Sequence, residues 1–118
     1  MDNTTKHWWL TLNEEQVGYW PSSLVPRLNN GASFVTWGGE VFTSATSRHP
    51  PSMGSGWRPE TGYGSASFIA KVHYVNKGYQ VVDAGRNLER VVTDPALYDV
   101  SEIQHDANLG THLYYGGA

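Results

Sequence analysis

The sequence predicts an all-β fold, mostly antiparallel: a β-sandwich in half or incomplete form, with one short helical turn near residues 22–30. Aromatic residues make up 13% of the chain, with five Trp and seven Tyr, and such residues favour half-buried pleated strands. Thirteen Gly and six Pro are spread along 118 residues, which divides the chain into short pieces joined by turns. Where apolar residues repeat, they do so with the period of two expected of strands.

The elements follow in order. His7 to Asn13 is aromatic and apolar and ends in polar residues, and Gln16 to Trp20 follows after a turn, so the pair reads as a hairpin closed by Pro21. Between Pro21 and Gly31, Ser22 or Ser23 offers an N-cap, Pro26 an early helical position and Asn30-Gly31 a left-handed stop. Ala32 to Phe42 reads as a strand, with Val35, Trp37, Gly39 and Val41 on a core-directed face and Phe34, Thr36, Gly38, Glu40 and Phe42 on the other. Ser44 to Tyr63, with Pro50-Pro51, Pro59 and several Gly, reads as a long surface loop. Ala66 to Val75 alternates as a strand, Asn76-Lys77-Gly78 turns, and Tyr79 to Asp83 pairs back. Leu88 to Val92 and Thr111 to Tyr115 read as further strands, with Asp94-Pro95 as a turn.

The length fits one domain, residues 1–118. Eight basic and eleven acidic residues give a net charge of −3, which is no polybasic surface for nucleic acid or anionic membrane. No apolar run approaches the ~20 residues of a membrane span, and Met1 to Lys6 lacks the apolar stretch of a signal peptide. The chain is therefore expected to be soluble, and extracellular only if a signal peptide is supplied by a longer protein. The absence of Cys excludes disulfides, Cys-ligated zinc and thiol catalysis.

Several chemistries fail on spacing. Neither Ser55 nor Ser65 completes G-x-S-x-G, and Gly54-Ser55-Gly56 fails G-x-G-x-x-G because Pro59 holds the last position. Histidines at 7, 49, 73, 105 and 112 show no ligand spacing, so no metal and no cofactor is expected. Glu40 stands out as a carboxylate inside an apolar strand, where burial would tune it as a general acid or base; an edge charge that blunts aggregation is the plain alternative. Glu60 and Asp83 read as turn or cap residues. Tyr19, Trp20, Trp37 and Trp57 offer flat rings to a substrate, with burial in the core as the commoner fate of such residues; Trp37 is assigned to core. Gly38 leaves open space beside Glu40, and His49 lies in the long loop where it could line a groove.

Lys6-His7-Trp8-Trp9-Leu10, Val17-Gly18-Tyr19-Trp20-Pro21, Trp37-Gly38-Gly39-Glu40-Val41 and Met53-Gly54-Ser55-Gly56 occur in an order that resembles the carboxyl-terminal half of the plant neprosin family. Gly62-Tyr63-Gly64-Ser65-Ala66-Ser67 and Tyr114-Tyr115-Gly116-Gly117 continue the match. The resemblance implies a secreted glutamic endopeptidase that cuts after proline, an antiparallel β-sandwich with two glutamates across a groove, and Glu40 as the second of them. The family's first glutamate lies in an amino-terminal half to which nothing here corresponds, and Leu97 stands where the family usually has a cysteine.

Metal-free hydrolysis of a peptide bond needs a base for water and an acid for the leaving amine, and two carboxyl groups sharing a proton supply both. Glu40 alone supplies one role. The expectations are a peptidase fragment inactive by itself, acting on a proline-containing peptide once joined by a complementary amino-terminal half, or prone to self-association through apolar faces such as Trp8/Leu10/Leu12 and Phe68/Val72/Tyr74. The alternative is a non-catalytic β-sandwich module that binds proline-rich peptide or glycan on its aromatic surface.

Overall fold

A computed structural model describes residues 1–44 and 49–118. The chain forms two compact units, Met1–Val35 with Asn76–Gln80, and Thr36–Val75 with Val81–Ala118. Strands are antiparallel throughout, and two 3₁₀ turns, Pro26–Leu28 and Pro59–Thr61, are the only helical pieces among the described residues. The all-β expectation holds.

In the smaller unit, β1 (Trp8–Leu12) and β2 (Glu15–Trp20) form the expected hairpin. Asn13 and Glu14 have φ of 49° and 67°, the two left-handed positions of the tight turn that matches strand twist. The register runs Trp8↔Trp20, Trp9↔Tyr19, Leu10↔Gly18 and then Thr11↔Gln16, so Val17 is an extra residue in a bulge. On one face His7 stacks on Tyr19 at 4.6 Å between centroids, and Trp9 tilts against the same ring at 4.7 Å. The ribbon has no second layer within its unit, so Leu10, Leu12, Val17 and Trp20 are all exposed.

The helical turn is shorter than expected and is not capped by a serine. Val25 occupies the cap position and Pro26 begins the turn; the Ser22 amide instead donates to His7 Nδ1 at 3.1 Å. Gly31, with φ of 93°, closes the segment by donating its N–H to Leu28 O.

The larger unit is built on β8 (Gly110–Gly117). One edge pairs with β3 (Ser67–Ile69). β6 (Tyr98–Val100) pairs with residues 115–117 and β7 (Gln104–Asp106) with residues 110–112. Ser101 links them by donating its N–H to Tyr114 O, while its hydroxyl accepts the Tyr114 N–H. Ala66, Val72, Tyr98, Leu113 and Tyr114 form the buried apolar core.

Four expectations are corrected. Residues 32–42 form no strand: among the described residues they find no ladder partner, and Gly38 turns the backbone at φ 154°. Their alternation survives only in part as burial: of the expected core face Trp37 and Val41 are half-buried but Val35 and Gly39 are exposed, as are Phe34 and Phe42. The Ala66 to Val75 strand is broken at Lys71, whose φ is 52°; the break yields β3 and β4 (His73–Val75), which pairs with β5 (Val81–Asp83). Ala66 and Val72 consequently share the core while Phe68 and Tyr74 stay exposed, so Val72 leaves the apolar face expected to be open. Leu88 to Val92 is not a strand, because Arg90 ties it down through its side chain to Val100 O, Glu102 and Asp99. β6 and β7 were not expected.

Two outcomes follow. Glu14→Gly removes a left-handed non-glycine residue and stabilises the chain by about 1 kcal/mol in urea unfolding. Gly116→Ala places a methyl 2.3 Å from the Trp57 carbonyl oxygen at a φ of 148°; backbone cannot give way there, and the same measurement shows a loss of about 3 kcal/mol or more.

Candidate active site

Parts of the Trp37–Val41, Met53–Gly56 and Gly62–Ser67 motifs meet around one ring in the larger unit, that of Tyr115 in β8. A Cβ on Gly39 would lie 2.7 Å from Tyr115 Cε2 and 2.7 Å from the Sδ and Cγ of Met53. A Cβ on Gly54 would lie 2.3 Å from Ser67 Oγ and 3.5 Å from the same Tyr115 carbon. Ser67 Oγ also accepts the Ser55 N–H at 2.8 Å. The two glycines thus let the Trp37–Val41 segment and the Met53–Gly56 loop lie directly against β8, and Gly39 fixes the backbone on which Glu40 stands. Beyond the ring, Gly116 brings the Met53–Trp57 loop down onto β8, and Met53 N donates to Gly117 O at 3.1 Å.

Glu40 itself is exposed. The burial expected of it does not occur, because a carboxylate is enclosed by a sheet only when its segment is paired on both sides, and residues 32–42 are unpaired. Among the described residues its carboxylate has no hydrogen bond and no ion pair. Its side chain is open to solvent.

Close by along β8 lies a cleft of about 510 Å³ whose walls include Trp57, Arg58, Glu60, Ala96 and Leu97. Trp57 is 60% exposed and presents a flat face. Arg58 lies 3.7 Å from Glu60 and 3.5 Å from Asp99, and Asp99 is shared with Arg90 at 3.5 Å. Glu40 is not among the residues that line this cleft.

Most carboxylates are committed elsewhere. Asp83 accepts from the Thr111 hydroxyl and the Gly85 amide, which hold its carboxyl below the usual range, with smaller help from His105 and His73. Asp106 is lowered chiefly by the Leu109 amide and then by that of Asn108, and Asp2 by the amide and hydroxyl of Thr5. Glu102 pairs with Arg90. None of these is a proton-sharing neighbour of Glu40. Among the described residues no three His, Asp or Glu side chains form a metal ligand set.

Of the residues singled out from the sequence, Gly38, Glu40 and Trp57 lie in the larger unit. Tyr19 and Trp20 lie in the smaller one, where Trp20 and Tyr19 help line a shallow hollow of about 140 Å³ with Leu10, Val17 and Gly18. His49 is exposed. Tyr115, the ring on which the site is assembled, was not singled out; its signal was the tight Tyr-Gly-Gly ending, which sets a bulky ring beside two residues without side chains.

The chain is built of antiparallel strands, and in its larger unit Gly39 lies against Tyr115 of β8 next to the exposed Glu40. The chain matches Neprosin over residues 1–118 and belongs to that family. No solved structure matches it.

The Gly39 contact is testable. In Gly39→Ala the methyl must displace Met53 and the Tyr115 ring, and unfolding followed by Trp fluorescence shows a loss of about 1–3 kcal/mol. Gly18→Ala, whose Cβ meets nothing within 4 Å, changes stability by no more than about 0.5 kcal/mol.

Proposed function

We propose that Glu40 is one carboxylate of a glutamic endopeptidase centre that hydrolyses peptide bonds after proline, and that this chain supplies half of the centre. The observation that supports the reading is the seating of Gly39 against Tyr115 and Met53, which holds the backbone next to an exposed glutamate against β8. In the reaction Glu40 acts as general base toward water or as general acid toward the leaving amine. Its partner carboxylate does the other job, and like-charge repulsion between them keeps one protonated in acid. The partner is assigned, as the family resemblance implies, to a complementary amino-terminal segment; Asp2, Glu60, Asp83, Asp99, Glu102 and Asp106 are engaged by arginines, hydroxyls or amides. The exposed ring of Trp57 is our candidate to stack on the substrate's proline ring. The family's extracellular setting suits an acid-active enzyme.

The test mixes the purified chain with such a segment carrying the other glutamate and assays a proline-containing peptide from pH 3 to 7. The mixture cleaves in acid, neither part cleaves alone, and Glu40→Gln, which keeps the shape and removes the titrating proton, lowers the rate by about 10²-fold or more. No cleavage by the mixture, or an unchanged rate in Glu40→Gln, refutes the proposal.

A further inference from the structure

Away from Tyr115, at the other end of β8, one hydroxyl links three strands. Thr111 is fully buried, and its Oγ1 donates to Asp83 Oδ1, at the end of β5, at 2.6 Å. His105 Nδ1, on β7, lies 3.0 Å from the same hydroxyl. Because the hydroxyl proton is committed to Asp83, the oxygen must accept from His105, so Nδ1 carries the proton. Asp83 Oδ1 also accepts the Gly85 N–H at 2.7 Å. Two backbone bonds depend on this arrangement: Val72 N donates to Thr111 O at 2.9 Å, and Ala84 N donates to Val72 O at 3.0 Å.

We propose that Asp83, Thr111 and His105 form a clasp that fastens the β4–β5 hairpin to β8 while Asp83 is ionised and lets it open in strong acid. An ionised carboxylate accepts from both the hydroxyl and the amide, whereas protonation weakens its acceptor strength toward both. The charges around it come from every neighbouring element. His73 is the register partner of Asp83 on β4; His105 and Asp106 stand on β7; buried His112 of β8 lies 3.8 Å from Asp106 and its Nδ1 is bonded to Gly110 O. Lys71 lies against Gly110, and Arg86 follows Gly85. When protonated, His73 and His105 reinforce the ionised Asp83.

The direction of the pH effect follows. The Asp83 carboxyl titrates below its ordinary 3.8, first because of Thr111. Its contribution is therefore complete above that ordinary value and disappears as pH falls through the lower, folded-state value. Mild acid leaves the clasp shut.

Hydrogen exchange of the full chain, corrected for intrinsic rates, reads this directly at the Val72 and Ala84 amides, with Ser101 and Tyr114 on the far edge of β8 as reference. Lowering pH from 4.5 to 2.5 reduces protection at Val72 and Ala84 by at least tenfold and leaves the reference amides protected. Asp83→Asn and Thr111→Val show low protection at both pH values and no step; Thr111→Ser, which keeps the hydroxyl, retains the step. The wild-type titration alone decides the matter if a variant fails to fold. Unchanged protection, loss of all four amides together, or a step that persists in Asp83→Asn overturns the proposal.

Discussion

The larger unit depends on β8 being paired along both of its edges. A strand in that position can bury both faces, and Thr111 to Tyr114 form the longest buried run among the described residues. Its carboxyl-terminal end is then approached by other backbone, and only glycine permits this: Cβ atoms on Gly116 and Gly117 would fall 2.3 Å and 2.2 Å from the carbonyl oxygens of Trp57 and Leu97. The Tyr-Tyr-Gly-Gly ending therefore alternates two demands, rings to fill the sheet and then bare backbone to let loops close over it. The candidate site inherits its position from this strand, since Tyr115 is both a rung of the ladder and the surface on which Gly39 and Gly54 rest.

Polar chemistry at the two ends of β8 differs for the same reason. At its start the strand is flanked by side chains that can reach one another: Thr111 bonds Asp83 and His105, while Asp106 takes the Asn108 and Leu109 amides and His112 is bonded to Gly110 O. Buried hydroxyl and imidazole groups are tolerated there only because each has a partner. At its end glycines let the backbone of loops close over the strand, and among the described residues the Glu40 carboxylate has no hydrogen bond or ion pair.

Local pattern made part of this legible. The β1–β2 hairpin followed from aromatic alternation around Asn13-Glu14, and the terminal strand from Thr111 to Tyr115 was visible though short by three residues. The ordered motifs named the family. What pattern could not show was pairing. Ala66 to Val75 alternates over most of its length, yet one left-handed residue at Lys71 divides it, and Ala32 to Phe42 alternates as well but has no ladder partner among the described residues. β6 and β7 carry Asp, Gln and His where strand formers are expected; they are strands because β8 offers an edge, a tertiary cause that overrides local preference. The Asp83–Thr111–His105 contact joins residues 28 apart and leaves no trace in spacing.

The same absence explains Glu40. Residues 32–42 have the composition and alternation of a strand, exposed amides and carbonyls, and a glutamate on the open side. Among the described residues they have no ladder partner, and no second carboxylate is bonded to Glu40. These two deficits have one remedy. A single antiparallel strand laid along this segment would satisfy its backbone groups, cover Phe34 or Phe42, withdraw Glu40 from water, and, if it carried an inward glutamate opposite, set two carboxyl groups a few ångströms apart, where they cannot both ionise. Strand pairing and proton sharing would then form in one step, so that an acid–base pair exists only when the sheet is complete.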